Sequence, residues 1–73
     1  MKLITIEIFK TTVPNKKTSL AIVERLNTLF PESRINFDLE DCDKILRVEG
    51  SDFTKNKIIT VLTELGYKCE LLE

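Results

Sequence analysis

The groups able to do chemistry in this chain are two thiols, a lysine pair, and a short run of hydroxyls and amides. There is no histidine among the 73 residues. That removes the commonest metal ligand and the usual base near neutral pH. Cys42 and Cys69 are far apart in sequence and do not form a disulfide framework. The stretch Thr11-Thr12-Val13-Pro14-Asn15-Lys16-Lys17-Thr18-Ser19 gathers donors and positive charge in one turn. If a helix starts there, its free N–H groups and dipole favour an anion, so Asn15, Lys16, Lys17, Thr18 and Ser19 are candidates to dock a carboxylate, a phosphate or an acidic partner. Against this, lysines at a helix start oppose the dipole, and Asn15, Thr18 and Ser19 are all ordinary N-cap residues. Without histidine, a cysteine nucleophile needs another base. No catalytic constellation is present, and the chain is not read as an enzyme.

The turn needs elements on either side of it. Leu3 to Phe9 alternates, with Ile4, Ile6 and Ile8 on one face and Thr5 and Glu7 on the other, which predicts a half-buried strand. Ile22, Val23, Leu26, Leu29 and Phe30 recur at helical spacing, and Pro31 stops that helix. Arg34 to Glu40 alternates again, with Ile35, Phe37 and Leu39 inward. Asp41 to Lys44 fits a hairpin turn, and Ile45 to Glu49 is the return strand, with Leu46 and Val48 inward. A second helix follows. Thr54 is its cap, Phe53 and Ile58 sit at staple positions, and Ile58, Ile59, Leu62 and Leu65 form its stripe. Gly66 closes it through a left-handed residue. Tyr67 to Leu72 reads as a last strand, with Tyr67, Cys69 and Leu71 on one face.

The order β-α-β-β-α-β predicts an α+β, ferredoxin-like sandwich, its antiparallel sheet ordered 4-1-3-2 and both helices on one face. Residues 1–73 make a single domain. The topology brings the Thr11–Ser19 turn, the Asp41–Lys44 hairpin and the Gly66-Tyr67 turn to one end. A site at the first turn would then be flanked by Cys42 and Tyr67.

The chain resembles the heavy-metal-associated domain, the fold of small copper chaperones and of metal-binding modules in metal-pumping ATPases. The resemblance covers nearly the whole chain. It rests on element lengths, on Ile22-Val23-Glu24-Arg25-Leu26 in the first helix, and on Leu65-Gly66-Tyr67 closing the second. It implies a Met-x-Cys-x-x-Cys motif in the first turn, whose two thiolates hold a soft ion such as Cu(I). The methionine position falls on Val13, the two cysteine positions on Asn15 and Thr18, and the aromatic position on Tyr67. Amide and hydroxyl groups are poor ligands for soft ions, and adjacent ammonium groups repel a cation. Metal binding in the family manner is therefore not expected, and no cofactor is assigned.

Other readings stay open beside that one. A thiolate pair would need Cys42 and Cys69 close together. With strands 2 and 4 at opposite edges of the sheet, they should stand on the order of 10 Å apart or more. Cys42 alone is a candidate for Cu(I) or Zn, across a dimer. An acylphosphatase-like site on this fold would want an arginine in the first loop, where lysine stands. The open face is expected to show Thr5, Glu7, Asn36, Asp38, Arg47, Glu49, Lys68 and Glu70. It lacks the rings that stack bases in RNA-binding sheets, so nucleic acid is set aside. Eleven basic against twelve acidic side chains give a net charge of −1, with no general pull toward nucleic acid or an anionic membrane. No apolar run is long enough to insert into a membrane. Few cysteines and no signal-like segment predict a cytoplasmic protein. The leading expectation is a small non-catalytic interaction module that meets a protein partner, or itself, through the loop end or the sheet edges. The alternatives are a metal carrier using Cys42 and an anion-binding regulatory domain at Lys16-Lys17.

Overall fold

The computed structural model describes residues 3–40 and 44–72. The two periodicities become six elements: β1 (Thr5–Thr11), α1 (Lys16–Leu29), β2 (Arg34–Asp38), β3 (Ile45–Gly50), α2 (Lys55–Glu64) and β4 (Cys69–Leu71). The strands form one antiparallel sheet in the order β2-β3-β1-β4, so the chain is α+β with two central strands and two edges. Among the described residues, no helix is long and apolar enough to cross a membrane.

Local chemistry sets the element ends. Asn15 is extended, and its Oδ1 accepts the Thr18 N–H at 2.9 Å, so α1 begins at Lys16. Of the three possible caps, the first is used. Thr54 caps α2 in the same way, accepting the Lys57 N–H at 3.3 Å. At the staple positions, Ile58 is fully buried and Phe53 packs against the core. Gly66 has φ +95°. Its N–H donates to the Thr63 carbonyl at 3.0 Å, and the Tyr67 N–H donates to the Leu62 carbonyl at 2.9 Å. This paired closure satisfies the last carbonyls of α2. β2 ends at Asp38 rather than Glu40, because the Asp38 carboxylate accepts the Glu40 N–H at 3.2 Å and turns the chain. The predicted hairpin residues 41–43, Cys42 among them, lie outside the described residues.

The core is one cluster. Ile22 and Leu26 of α1 and Ile58 and Leu62 of α2 meet Phe9, Leu46, Val48 and Ile35 of the sheet. Pairing places Phe9 beside Leu46, Glu7 beside Val48, and Ile35 beside Val48. Paired residues share a face, so both helices cover the same side of the sheet. Leu29 and Leu65, expected in the helix stripes, are instead exposed at the helix ends. Ser19 takes the buried position one turn before Ile22, its Oγ donating to the Lys16 carbonyl at 2.7 Å.

β1 is turned the other way from the alternation that predicted it. Phe9 and Thr11 are buried, whereas Ile4 and Ile6 are 67% and 49% exposed. Ile6 pairs with Glu49 and Ile8 with Arg47, on the face that no helix covers. Thr5 and Glu7 therefore leave the open face, and isoleucines replace them. The segment holds two apolar sets of opposite phase, and a one-residue slip exchanges them. The set that carries the Phe9 ring and continues to Val13, itself fully buried, takes the core.

Candidate functional site

Hydrogen bonds gather three connections at one end of the sheet. The Thr11 hydroxyl donates to the Lys44 carbonyl at 2.7 Å and accepts the Val13 N–H at 3.3 Å. Thr12 donates its N–H to the Lys68 carbonyl at 3.2 Å, and its hydroxyl accepts the Lys68 N–H at 2.9 Å. The first turn is thus tied to the residue opening β3 and to the residue opening β4. The hydroxyls of Thr11 and Thr12 were legible in the sequence as polar groups of this turn. Their role as ties depends on partners 33 and 56 positions away, and no local pattern signals it.

Within this end, the candidate residues do not converge. Val13 is fully buried in the core. Asn15 spends its side-chain oxygen on the α1 cap. Lys16 and Lys17 are exposed in the first turn of α1, which contains no acidic residue. Ser19 is 4% exposed and faces inward. Lys16 and Ser19 border a groove of about 340 Å3 between α1 and β2, lined also by Leu20, Val23, Phe37 and Leu39. Thr18 borders a different groove of about 300 Å3, on the other flank of α1, with Ile22, Arg25, Leu65 and Tyr67. Of the five residues proposed for an anion, Lys16 and Ser19 thus border one flank of the helix and Thr18 the other, while Asn15 and Lys17 border neither groove. Thr18 and Tyr67, both at positions of the family motif, do meet in the second groove. Tyr67 is half-buried against the core.

Cys69 is 8% exposed, on the covered face at the β4 edge. Burial pushes its thiol up to about 12, so it stays protonated and acts as a small apolar group rather than a thiolate ligand. Among the described residues, no group of three or more His, Cys, Asp and Glu side chains is placed to hold a metal ion. Cys42, the other thiol, lies outside them.

At the opposite end, a polar latch joins the two crossovers. The Asp52 carboxylate accepts the Glu32 N–H at 2.9 Å and the Ser33 hydroxyl. Gly50 lies against this latch, where a Cβ would come within 2.7 Å of the Ser33 Cα. The sequence marked Gly50 and Ser51 only as a strand break. No family model, curated protein or solved structure matches the chain.

Proposed function

We propose that this chain is a non-catalytic binding and interaction module on a ferredoxin-like sandwich, related to the heavy-metal-associated domain and lacking that family's metal chemistry. The strand order β2-β3-β1-β4, with two helices on one side of the antiparallel sheet, supports the sandwich reading. The observation that carries the functional part is how the motif positions are spent. Val13 fills the core, the Asn15 oxygen caps α1, and Thr18 supplies the capped N–H. Val13 and Asn15 do structural work where a metal carrier would present sulfur, and at Thr18 a hydroxyl borders the groove where it would present a thiol. The described thiol, Cys69, is protonated in the core. Binding then falls to surfaces, in keeping with a chain that has no histidine.

The test is a titration of the reduced protein with Cu(I) and with Zn(II) against a competing chelator. The interaction-module reading expects no competition at micromolar metal for either the parent chain or Cys42→Ser. Tight binding that disappears in Cys42→Ser would overturn it and make the chain a metal carrier.

A further inference from the structure

We propose that two copies of this chain pair face to face through the side of the sheet that no helix covers. The inference deepens the interaction-module reading and rests on it, because it names the partner as a second copy.

The surface comes from the phase of β1. Ile6 is 49% exposed, and Leu72, bonded through its N–H to the Ile8 carbonyl, is 40% exposed. Ile8 and Ile45 are half-buried, yet they do not belong to the hydrophobic residues packed on the core. They lie on the opposite face from Phe9 and Leu46, their chain neighbours. An isoleucine row on a central strand gains nothing in water, and a contiguous apolar patch of this kind marks a contact surface.

The charges choose the partner. Lys10, Arg34 and Arg47, with Lys68 opposite Thr12, share this face with Asp38, Glu49 and Glu70, as the pairing register requires. Four cations against three anions suit neither a strongly acidic nor a strongly basic partner, and among the described residues of this face there is no ring for a base to stack on. The arrangement is instead complementary to itself. Glu7 pairs with Val48, with Ile6 beside Glu49 on one side of that level and Ile8 beside Arg47 on the other. A two-fold axis lying between two such faces, crossing the strands at the level of Glu7 and Val48, sets β1 on β1 and β3 on β3 in opposite directions. Ile6 then covers Ile8 of the second copy, and Arg47 meets Glu49 of the second copy, each contact occurring twice, as a two-fold interface demands. Within one chain Arg47 and Glu49 approach only to 3.9 Å, a weak surface pair, so exchanging it across the axis gives up little.

Size allows it. β1 has seven residues. At about 3.3 Å per residue and about 4.8 Å between strands, the face has a footprint on the order of 400 Å2. Side-chain relief raises the accessible area above that footprint. Two faces together bury on the order of 1,000 Å2, near the floor for a biological interface and in the size class of weak, transient ones. Aligned sheets packed this way cross at about 30°.

The experiment is sedimentation of the reduced chain with a chelator present, from about 1 µM to about 500 µM. The parent chain should pass from monomer to dimer. Ile6→Glu combined with Ile8→Glu should abolish the dimer, and Ile6→Thr, which keeps a β-branched strand former, should weaken it about tenfold; circular dichroism checks that each stays folded. Arg47→Glu alone and Glu49→Arg alone should each fail to self-associate. Mixed together, they should form a heterodimer, because every cross-axis pair is then opposite in sign. A parent chain that stays monomeric throughout overturns this inference and leaves the interaction-module reading standing. So does a dimer that survives Ile6→Glu with Ile8→Glu, since it must use the loop end or a sheet edge. A dimer that forms only without chelator and is lost in Cys42→Ser overturns both.

Discussion

The two sides of this sheet are made from the same strands and serve different ends. On the covered side, Phe9, Leu46 and Val48 are completely removed from water beneath Ile22, Leu26, Ile58 and Leu62. On the other, Ile6 and Ile8 stand beside Glu49 and Arg47 with no helix above them. The covered side draws its energy from burial within one chain. On the proposed reading, the open side keeps apolar area in reserve for contact, and stability and recognition are separated by the pleat of β1, where neighbouring residues face opposite ways.

Four substitutions or conditions probe that division. The largest effect should come from Phe9→Ala, which opens a cavity in the core and is expected to cost about 3–5 kcal/mol. In a domain this small, that removes most of the stability, and the milder Phe9→Leu should leave enough to measure a shifted urea midpoint. Next comes Gly50→Ala. Its methyl group would press on the Ser33 backbone and disturb the bond from Ser33 to Asp52, so a loss of about 1–3 kcal/mol with an unchanged denaturant slope is expected.

A pH series tests the covered side without altering shape. The folded Cys69 thiol is raised to about 12 from a reference value of 9.0. Below pH 9 both states hold the proton, and stability is unaffected. Between about pH 9 and 12 the unfolded chain releases it first, so stability falls by up to about 1.4 kcal/mol per pH unit. The diagnostic is the difference from Cys69→Val, which should lack this component. The smallest effect belongs to the open side. Ile6→Thr, measured dilute enough to keep the chain monomeric, should change stability by no more than about 0.5 kcal/mol. A loss of 2 kcal/mol or more there would mean that Ile6 contributes to the core, and the division between faces would fail.

Much of the fold was legible in the residues. Helical spacing located α1 and α2, and Asn15, Thr54 and Gly66 are found at the caps and closure their types favour. Leu46 and Val48 alternate with charged residues, and that contrast gave the facing of β3 without ambiguity. β1 offered no such contrast. Its two phases are both apolar, and which one enters the core depends on pairing with a strand some forty positions away. The candidate site was less legible still. The donors of the first turn read as a cluster, but once α1 forms Asn15 is used as its cap and Thr18 borders a different flank from Lys16 and Ser19. The Ser33–Asp52 latch joins residues whose types are common in loops, and only the folded chain reveals that they meet.

The position of β1 also bears on how the chain reaches this state. It comes before the other elements, yet both of its edges pair with strands that follow later, β3 on one side and β4 on the other. The bond between Thr12 and Lys68 closes across 56 positions. Contacts this remote in sequence must overcome loop-closure entropy before they return energy, so folding should be slower than for a helical bundle of equal length. During synthesis, β1 emerges with two bare edges and isoleucine on one face, and it waits for almost the whole domain. That interval is when the chain has most to gain from a chaperone.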